Sequence, residues 1–228
     1  MKAVLGFAAL SLIAAVLAIS LSQVPFGVDR MEVARYYLEN GASDTGAANL
    51  VTSVVLNYRA LDTLGEVTVL FIASLGVGAF LALRRRGEGS LPPASLIVRR
   101  GSQFLFPLIL IFGAYIFLHG HLTPGGGFQG GAVIASAFLL MFLGQYEYSL
   151  SHRPLSITES LAGLTFVIVG LIGIAAGGYF LSNFLPKGSL LSLFSAGVIP
   201  ILYVAIGFKV GAELAGIVAA MLGPRGEE

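Results

Sequence analysis

The 228-residue sequence contains no cysteine and no tryptophan, and few of its residues are charged. Without cysteine the chain cannot form a disulfide, bind a metal through a thiolate or hold an iron–sulfur cluster. Charged residues make up 11% of the chain and hydrophobic residues 56%, whereas about a quarter of the residues of soluble proteins are charged. We therefore expect an integral membrane protein that is not itself an enzyme and has no cofactor, since no long polar segment remains to form a catalytic domain.

Six apolar runs are long enough to cross about 30 Å of hydrocarbon. They predict an all-α integral membrane protein with about six transmembrane helices. The first run follows Lys2 and ends near a weak signal-peptidase site, Ala18-Ile19-Ser20, but its length favours a retained helix over a cleaved signal peptide. The runs lie near residues 3–22, 64–83, 102–119, 128–144, 159–181 and 197–222.

Basic residues are concentrated between the second and third runs. Arg84-Arg85-Arg86 and Arg99-Arg100 form the densest basic cluster in the sequence, and the positive-inside rule places such a cluster in the cytoplasm. With six spans, both termini then lie in the cytoplasm, and the chain is a multi-pass protein of the cytoplasmic membrane. The net charge of +1 gives no indication of nucleic-acid binding.

Between Thr45 and Tyr58 the sequence has the period of a short amphipathic helix. Asn49, Ser53 and Asn57 recur at every fourth position and form a polar stripe opposite apolar residues. The segment is too short to span a membrane. Two interpretations remain open: a helix at the membrane interface, or a helix packed within protein whose polar stripe contacts water or a partner along an ion path.

A glycine-rich turn follows the third run and begins with His119-Gly120-His121. Its three consecutive glycines admit positive φ and close backbone approach, and its proline cannot donate a backbone hydrogen bond. The turn can therefore be tight, and the next helix can pack closely against a neighbour. The residues of this signature are Pro124, Gly125, Gly126, Gly127, Phe128, Gly130 and Gly131.

The signature resembles that of the B subunit of Mrp-type multisubunit sodium/proton antiporters, and of the equivalent subunit in archaeal membrane-bound hydrogenases and sulfur reductases. This resemblance covers roughly residues 98–222. The first half resembles a different subunit: residues 44–49 and 58–66 look like the C-terminal end of the antiporter A subunit and the small E subunit of membrane-bound hydrogenases. The resemblance implies two subunits joined in one chain, with a two-span segment at 1–86, a cytoplasmic linker at 87–101 and a four-span domain at 102–228.

Asp62 and Glu66 lie one helical turn apart where the second apolar run begins. The spacing Thr63-x-x-Glu66 is that of a capping box, in which Glu66 bonds back to the helix N-terminus. Alternatively, two close carboxylates raise each other's proton affinity and can exchange a proton or hold a sodium ion. The resemblance favours the second interpretation, because the acidic residue of this motif in the A subunit is regarded as functionally important.

Lys209 lies near the middle of the last apolar run, and Glu213 follows it by one helical turn. A charged side chain near the bilayer centre costs at least about 2.5–3.5 kcal/mol on insertion scales, so the pair is expected to face protein. It either neutralises itself as an ion pair or takes part in proton or cation movement. Gly207 and Gly211 flank Lys209 in a pattern that should let another helix approach closely.

The histidines and one further carboxylate complete the set of titratable candidates. His119 and His121, at the membrane mouth, can carry protons near neutral pH or simply lie at the interface, and His119 is the one predicted to act in ion translocation. The spacing Ser156-x-x-Glu159 predicts a capping box for the fifth span, so Glu159 is interpreted as a helix cap. No cluster has convincing metal-ligand spacing.

The resemblance implies a membrane subunit of an Mrp-type cation/proton antiport module. It would contribute to a Na⁺ or H⁺ passage between subunits through Glu66, Asp62, Lys209, Glu213 and His119, with Na⁺ as a transported ion and not a cofactor. Its partners would be other antiporter subunits. The setting stays open between a stand-alone antiporter and a respiratory complex with a hydrogenase-like or iron–sulfur peripheral arm. The alternative is a structural scaffold that holds the antiporter module together.

Overall fold

The computed structural model describes residues 2–23, 31–83, 94–145 and 148–222, and all regular secondary structure in these ranges is helical. The described residues up to Arg35 form one compact unit, and those from Tyr36 onward form another. A π-helix at Val54–Tyr58 follows α3. The α-helices are α1 (Lys2–Ser22), α2 (Glu32–Thr45), α3 (Leu50–Ser53), α4 (Ala60–Leu83), α5 (Leu96–Leu118), α6 (Gly127–Gly144), α7 (His152–Gly177) and α8 (Ile199–Leu222).

The predicted all-α membrane fold is confirmed. In the described part of the chain, five helices, α4 to α8, are long and apolar enough to cross a membrane. The remaining predicted span, the first one at residues 3–22, corresponds to α1, whose apolar stretch Gly6–Ser22 is shorter than the other five. The arginine cluster at 84–86 lies outside the described residues, whereas Arg99 and Arg100 lie in the first turns of α5.

Three of the membrane-spanning helices begin before their apolar runs. Helix α4 begins at Ala60, α5 at Leu96 and α7 at His152, in place of the predicted 64, 102 and 159. Hydropathy marks only the part of a helix that lies in hydrocarbon, whereas the backbone stays helical through a polar turn that can reach water. At α5 the Ser95 side chain caps this polar turn by accepting a hydrogen bond from the Val98 amide.

The short segment after α2 packs against other parts of the protein. This confirms the interpretation of a helix packed within protein, whereas its role along an ion path stays a prediction. Thr52 and Ser53 are buried. The Asn49 side chain donates to the carbonyl oxygens of Gly120 at 2.8 Å and Thr123 at 3.0 Å. Asn49, the first residue of the polar stripe, therefore contacts the backbone of the glycine-rich turn.

A pair of buried hydroxyls continues this contact toward α8. Thr52 donates to the Gly120 carbonyl oxygen at 2.7 Å, and its Oγ1 lies 2.6 Å from the Tyr203 hydroxyl. Because the single Thr52 proton is used on Gly120, Tyr203 is the donor to Thr52. The direction of each hydrogen bond is thus fixed, and the pair ties the turn to α8.

Helix α6 lies in close backbone contact with α5 on one side and α8 on the other. A Cβ atom on Gly131 would stand 2.8 Å from the carbonyl oxygen of Gly207 and 2.9 Å from the nitrogen of Gly211. A Cβ on Gly130 would stand 2.7 Å from the carbonyl oxygen of Gly113. The prediction that Gly207 and Gly211 admit another helix is confirmed: a Cβ on Gly211 would meet Ile134 and Gly131 of α6, and a Cβ on Gly207 would meet the Phe117 ring of α5.

Helix α8 is the most buried of the five spans. Within the most apolar stretch of each helix, 61% of α8 is buried, against 6% of α4. Helices α4, α5, α6 and α7 all pack against α8. A charged residue on α8 is therefore held inside the protein, whereas one on α4 is largely open to the surroundings of the chain.

The close approach of α6 to α8 can be tested with alanine. Gly131→Ala should destabilise the fold by about 1–3 kcal/mol, the usual cost of an extra methyl in a packed core, although alanine favours helix by about 1 kcal/mol. Gly216→Ala, inside α8, is the control, because its added Cβ meets no atom within 4 Å. Size-exclusion chromatography after heating the solubilised protein measures both. Equal melting temperatures would contradict the backbone contact.

Candidate functional site

Lys209 is the centre of a charged cluster built from three helices. Its Nζ donates to Glu213 Oε1, one turn later on α8, at 2.6 Å. Glu159 Oε1, on α7, lies 3.7 Å from the same nitrogen. The ring of Phe71, on α4, lies under the ammonium with its centroid 4.9 Å away, within cation–π range. The predicted Lys209–Glu213 pair is confirmed as an intrahelical ion pair.

The cluster is buried but incompletely satisfied. The Glu213 side chain has no exposed surface, while those of Lys209 and Glu159 are 11% and 23% exposed. Glu213 Oε2 is buried and has no hydrogen-bond partner among the described residues. A buried carboxylate oxygen without a donor is costly. This oxygen is therefore where an added proton, water or cation would gain most.

A cavity opens beside the cluster between α4 and α7. Its volume is about 330 Å³, and Glu159, Ser160 and Lys209 supply its polar wall. Gly163 belongs to the lining as well, and a Cβ there would come within 3.7 Å of the Lys209 Cδ atom. This is an ordinary van der Waals distance, so the Lys209 stem packs against α7 at Gly163.

The interpretation of Glu159 as a helix cap is wrong. Helix α7 begins at His152 with Ser151 at its N-cap position, so Ser156 and Glu159 lie inside the helix, where the amides of a capping box are already bonded. Glu159 instead projects toward Lys209 of α8. No local pattern marks this contact, because the two residues are fifty positions apart in the sequence.

Asp62 and Glu66 lie on α4, and no contact joins either of them to the Lys209 cluster in the described residues. The capping-box alternative is wrong, because α4 begins at Ala60 and Thr63 Oγ1 donates to the Val55 carbonyl oxygen at 2.6 Å. Asp62 forms a half-exposed ion pair with Arg59 at 2.5 Å. Glu66 is exposed, and its carboxylate has no hydrogen bond or ion pair within the described part of this chain.

The two histidines of the turn differ in environment. The His119 ring stacks on Tyr115 with centroids 4.2 Å apart, and its Nδ1 lies 3.1 Å from the Tyr115 carbonyl oxygen. His121 has no exposed surface, and neither of its ring nitrogens is hydrogen-bonded within the part of the chain that the structure describes. Burial lowers the pKa of His121, and nearby backbone groups of Ser192 and Leu193 oppose this shift in part.

No group of three or more His, Asp or Glu side chains in the described residues is placed to hold a metal ion.

Residues 97–216 match the family described as "Domain related to MnhB subunit of Na+/H+ antiporter". The chain belongs to this MnhB-related family. Residues 3–95 match a second family, MbhE, which is that of the E subunit of MBH. The MnhB-related region contains α5 to α8, with the glycine-rich turn, Glu159, Lys209 and Glu213. The second contains α1 to α4, with Asp62 and Glu66.

Known proteins share both regions of this MnhB-related chain. The uncharacterized protein MJ1307 of Methanocaldococcus jannaschii is 31% identical, over 84% of this chain and 80% of its own length. A chain of the membrane-bound sulfane sulfur reductase (MBS), an archaeal respiratory membrane complex, is 53% identical with a TM-score of 0.79, over 97% of this chain and 98% of that chain. A chain of the Mrp complex from Dietzia sp. DQ12-45-1b is 25% identical with a TM-score of 0.72, over 100% of this chain but 27% of that chain.

The ion pair of α8 can be tested by removing one charge and then both. Lys209→Met leaves Glu213 buried without its partner, and breaking a buried pair costs about 3–5 kcal/mol. Lys209→Met/Glu213→Gln removes both charges and should recover much of the lost assembly. Glu39→Gln, at an exposed carboxylate of α2, is the control. The yield of intact protein on size-exclusion chromatography measures the effect. If the double variant gave no higher yield than Lys209→Met, mutual neutralisation of the two charges would be contradicted.

Burial of His121 predicts that stability falls in mild acid. Its pKa is lowered in the folded protein, whereas the unfolded chain binds a proton below about pH 6.5. As the pH falls through that value, the unfolded state takes up a proton that the folded state does not, and stability is lost. His121→Gln cannot titrate, so its melting temperature should change less between about pH 7.5 and pH 5.5 than that of the wild type. The same pH dependence in both would exclude this role.

Proposed function

We propose that the chain is a membrane subunit of an Mrp-type cation/proton antiport module and contributes to a Na⁺ or H⁺ passage between subunits. The observation that carries this proposal is the cluster of Lys209, Glu213 and Glu159 inside the membrane-spanning part of the protein. Membership of the MnhB-related family supports it. The chain has no catalytic role in this proposal and carries no cofactor.

The charges of the cluster suggest how it would serve exchange. Two carboxylates and one ammonium sum to one negative charge when all three are ionised. Such a charge is costly in a low-dielectric interior, and either a proton or a sodium ion would cancel it. Competition of the two ions for one site is the elementary requirement of antiport.

The lysine itself can act as the moving part. Its ammonium is 2.6 Å from Glu213 and 3.7 Å from Glu159, and the flexible four-carbon stem can carry the charge from one carboxylate to the other. When the ammonium moves to Glu159, Glu213 loses its partner and gains proton affinity. The cavity beside Glu159 supplies the space for water or an ion.

Glu66 has a separate place in this proposal. It is exposed on α4, a helix of which little is buried in this chain. A carboxylate in hydrocarbon without a partner is costly. Another protein chain of the complex would therefore cover this face of α4 and share an ion path with Glu66. Asp62, already paired with Arg59, and His119, stacked on Tyr115, stay predictions.

The respiratory setting is the one that the comparisons favour. The similar chain of the sulfane sulfur reductase is matched over almost its entire length, whereas the similar chain of the Mrp complex is several times longer. We propose that the partners are other antiporter subunits within a complex that also has a hydrogenase-like or sulfur-reducing arm. The two family matches meet within the predicted linker at 87–101, which supports the three-part layout.

We propose the orientation from the arginines of α5. Arg99 and Arg100 lie at the start of this helix, and the positive-inside rule puts that end in the cytoplasm. The glycine-rich turn at the other end of α5 then faces outward. With α1 as a further span, both termini lie in the cytoplasm of a multi-pass membrane protein.

Exchange measured in proteoliposomes tests the proposal. Glu159→Gln and Glu66→Gln, in the reconstituted complex, should abolish the pH change that a Na⁺ pulse produces inside dye-loaded vesicles, while leaving the complex assembled. Glu39→Gln should behave as the wild type. If Glu159→Gln and Lys209→Met/Glu213→Gln both exchange normally, the cluster only neutralises itself. If Glu66→Gln exchanges normally as well, the chain is a scaffold.

A further inference from the structure

A second polar cavity lies at the end of the molecule where α2 ends and α8 begins. It has a volume of about 530 Å³, and its walls come from α2, the π-helix and the segment between α7 and α8. Lys209 lies ten residues after the start of α8, about 15 Å along the helix. This cavity is therefore separate from the Lys209 cluster. The polar residues that line it are Tyr36, Asp44, Asn57, Tyr58, Tyr179, Asn183 and Lys187.

Asp44 is the anionic residue of this cavity. Its Oδ2 accepts hydrogen bonds from the Tyr58 hydroxyl at 2.7 Å and the Tyr36 hydroxyl at 3.4 Å. No hydrogen bond engages Oδ1, or the carboxamide of Asn57, within the described residues. Two oxygen atoms that can still accept a bond thus face the same space, next to two hydroxyl oxygens.

The fold holds these oxygens in place. Tyr58 ends the π-helix, a form that is rare and frequently found at functional sites. Its ring stacks on Tyr37 at 4.6 Å, and Tyr36 meets it edge-on at 6.1 Å. Burial and the bond to Asp44 raise the pKa of Tyr58, so its hydroxyl stays neutral.

The opposite wall is fixed by backbone contacts. Asn183 donates to the carbonyl oxygens of Thr45 and Ala196, both at 3.3 Å, and accepts from the Val198 amide at 3.0 Å. Lys187 Nζ donates to the Ser43 carbonyl oxygen at 3.1 Å. Its ammonium is thereby held at the rim of the cavity, where it weakens cation binding without occupying the space.

We propose that this cavity binds a partly hydrated alkali-metal cation, Na⁺ in particular, through the Asp44 carboxylate, the Tyr36 and Tyr58 hydroxyl oxygens and the Asn57 carboxamide oxygen. Carboxylate, amide and hydroxyl oxygens are hard ligands of the kind that such cations prefer. Lys187 lowers the affinity of the site for a cation. A site that takes part in transport must release its ion as well as bind it. The site stands independently of the proposed function, because it needs no ion path through the Lys209 cluster.

Binding of ²²Na⁺ to the purified complex, measured without any ion gradient, tests this site. Asp44→Asn and Tyr58→Phe should each weaken one class of Na⁺ sites, by about tenfold for the carboxylate, which is a charged ligand. Tyr37→Phe is the matched control, because it keeps the ring stack and removes a hydroxyl that makes no hydrogen bond within the described residues. Lys187→Met should strengthen Na⁺ binding, since it removes a competing positive charge.

The outcomes separate this inference from the proposed function. Wild-type Na⁺ binding in both Asp44→Asn and Tyr58→Phe would overturn the site. Weaker Na⁺ binding in Lys187→Met would overturn it too, because removing a positive charge beside a bound cation should strengthen binding. If Asp44→Asn does not assemble, Tyr58→Phe decides, since it keeps the carboxylate. Glu159→Gln should retain this Na⁺ binding even where exchange is lost, so failure of one proposal leaves the other intact.

Discussion

Helix α8 is held from two opposite sides by interactions of different kinds, and α4, α5, α6 and α7 all pack against it. On one side, Gly207 and Gly211 bring the backbone of α6 into contact. Lys209 lies two residues after Gly207, about 200° around the helix, and faces α7 and α4. The glycine contact fixes where α8 stands, and this position puts the ammonium within reach of Glu159 on α7.

The polar groups of the interior fall into two kinds. Thr52 and Tyr203 each use their hydroxyl protons in one defined direction, toward the Gly120 carbonyl oxygen, and such a network rigidifies a structure. The Lys209 cluster has one carboxylate in excess and one buried oxygen without a donor. Unlike the satisfied hydroxyls, such an excess charge can still be cancelled by an added proton or cation.

The helices and the intrahelical pair could be predicted from the sequence, because both depend on contacts that are local along the chain. The length of an apolar run gives a span, and the spacing of Lys209 and Glu213 gives an ion pair. The contact of Glu159 with Lys209 could not be predicted from the sequence. A serine followed three residues later by a carboxylate has the same local pattern at the start of a helix as inside one. The π-helix could not be predicted either. The hydrogen bond from Thr63 to the Val55 carbonyl oxygen, eight residues earlier and inside the π-helix, was therefore not expected.

The contact between the short segment and the glycine-rich turn joins the two family regions of this chain. Asn49 and Thr52, in residues 3–95, bond to the carbonyl oxygens of Gly120 and Thr123, in residues 97–216. Carbonyl oxygens are present whatever the side chains are, so this joint depends on the Asn49 and Thr52 side chains and not on which side chains the turn carries. The covalent connection between the two regions raises the effective concentration of one near the other. Two polypeptides divided at the boundary of the family matches would each keep their side of this contact.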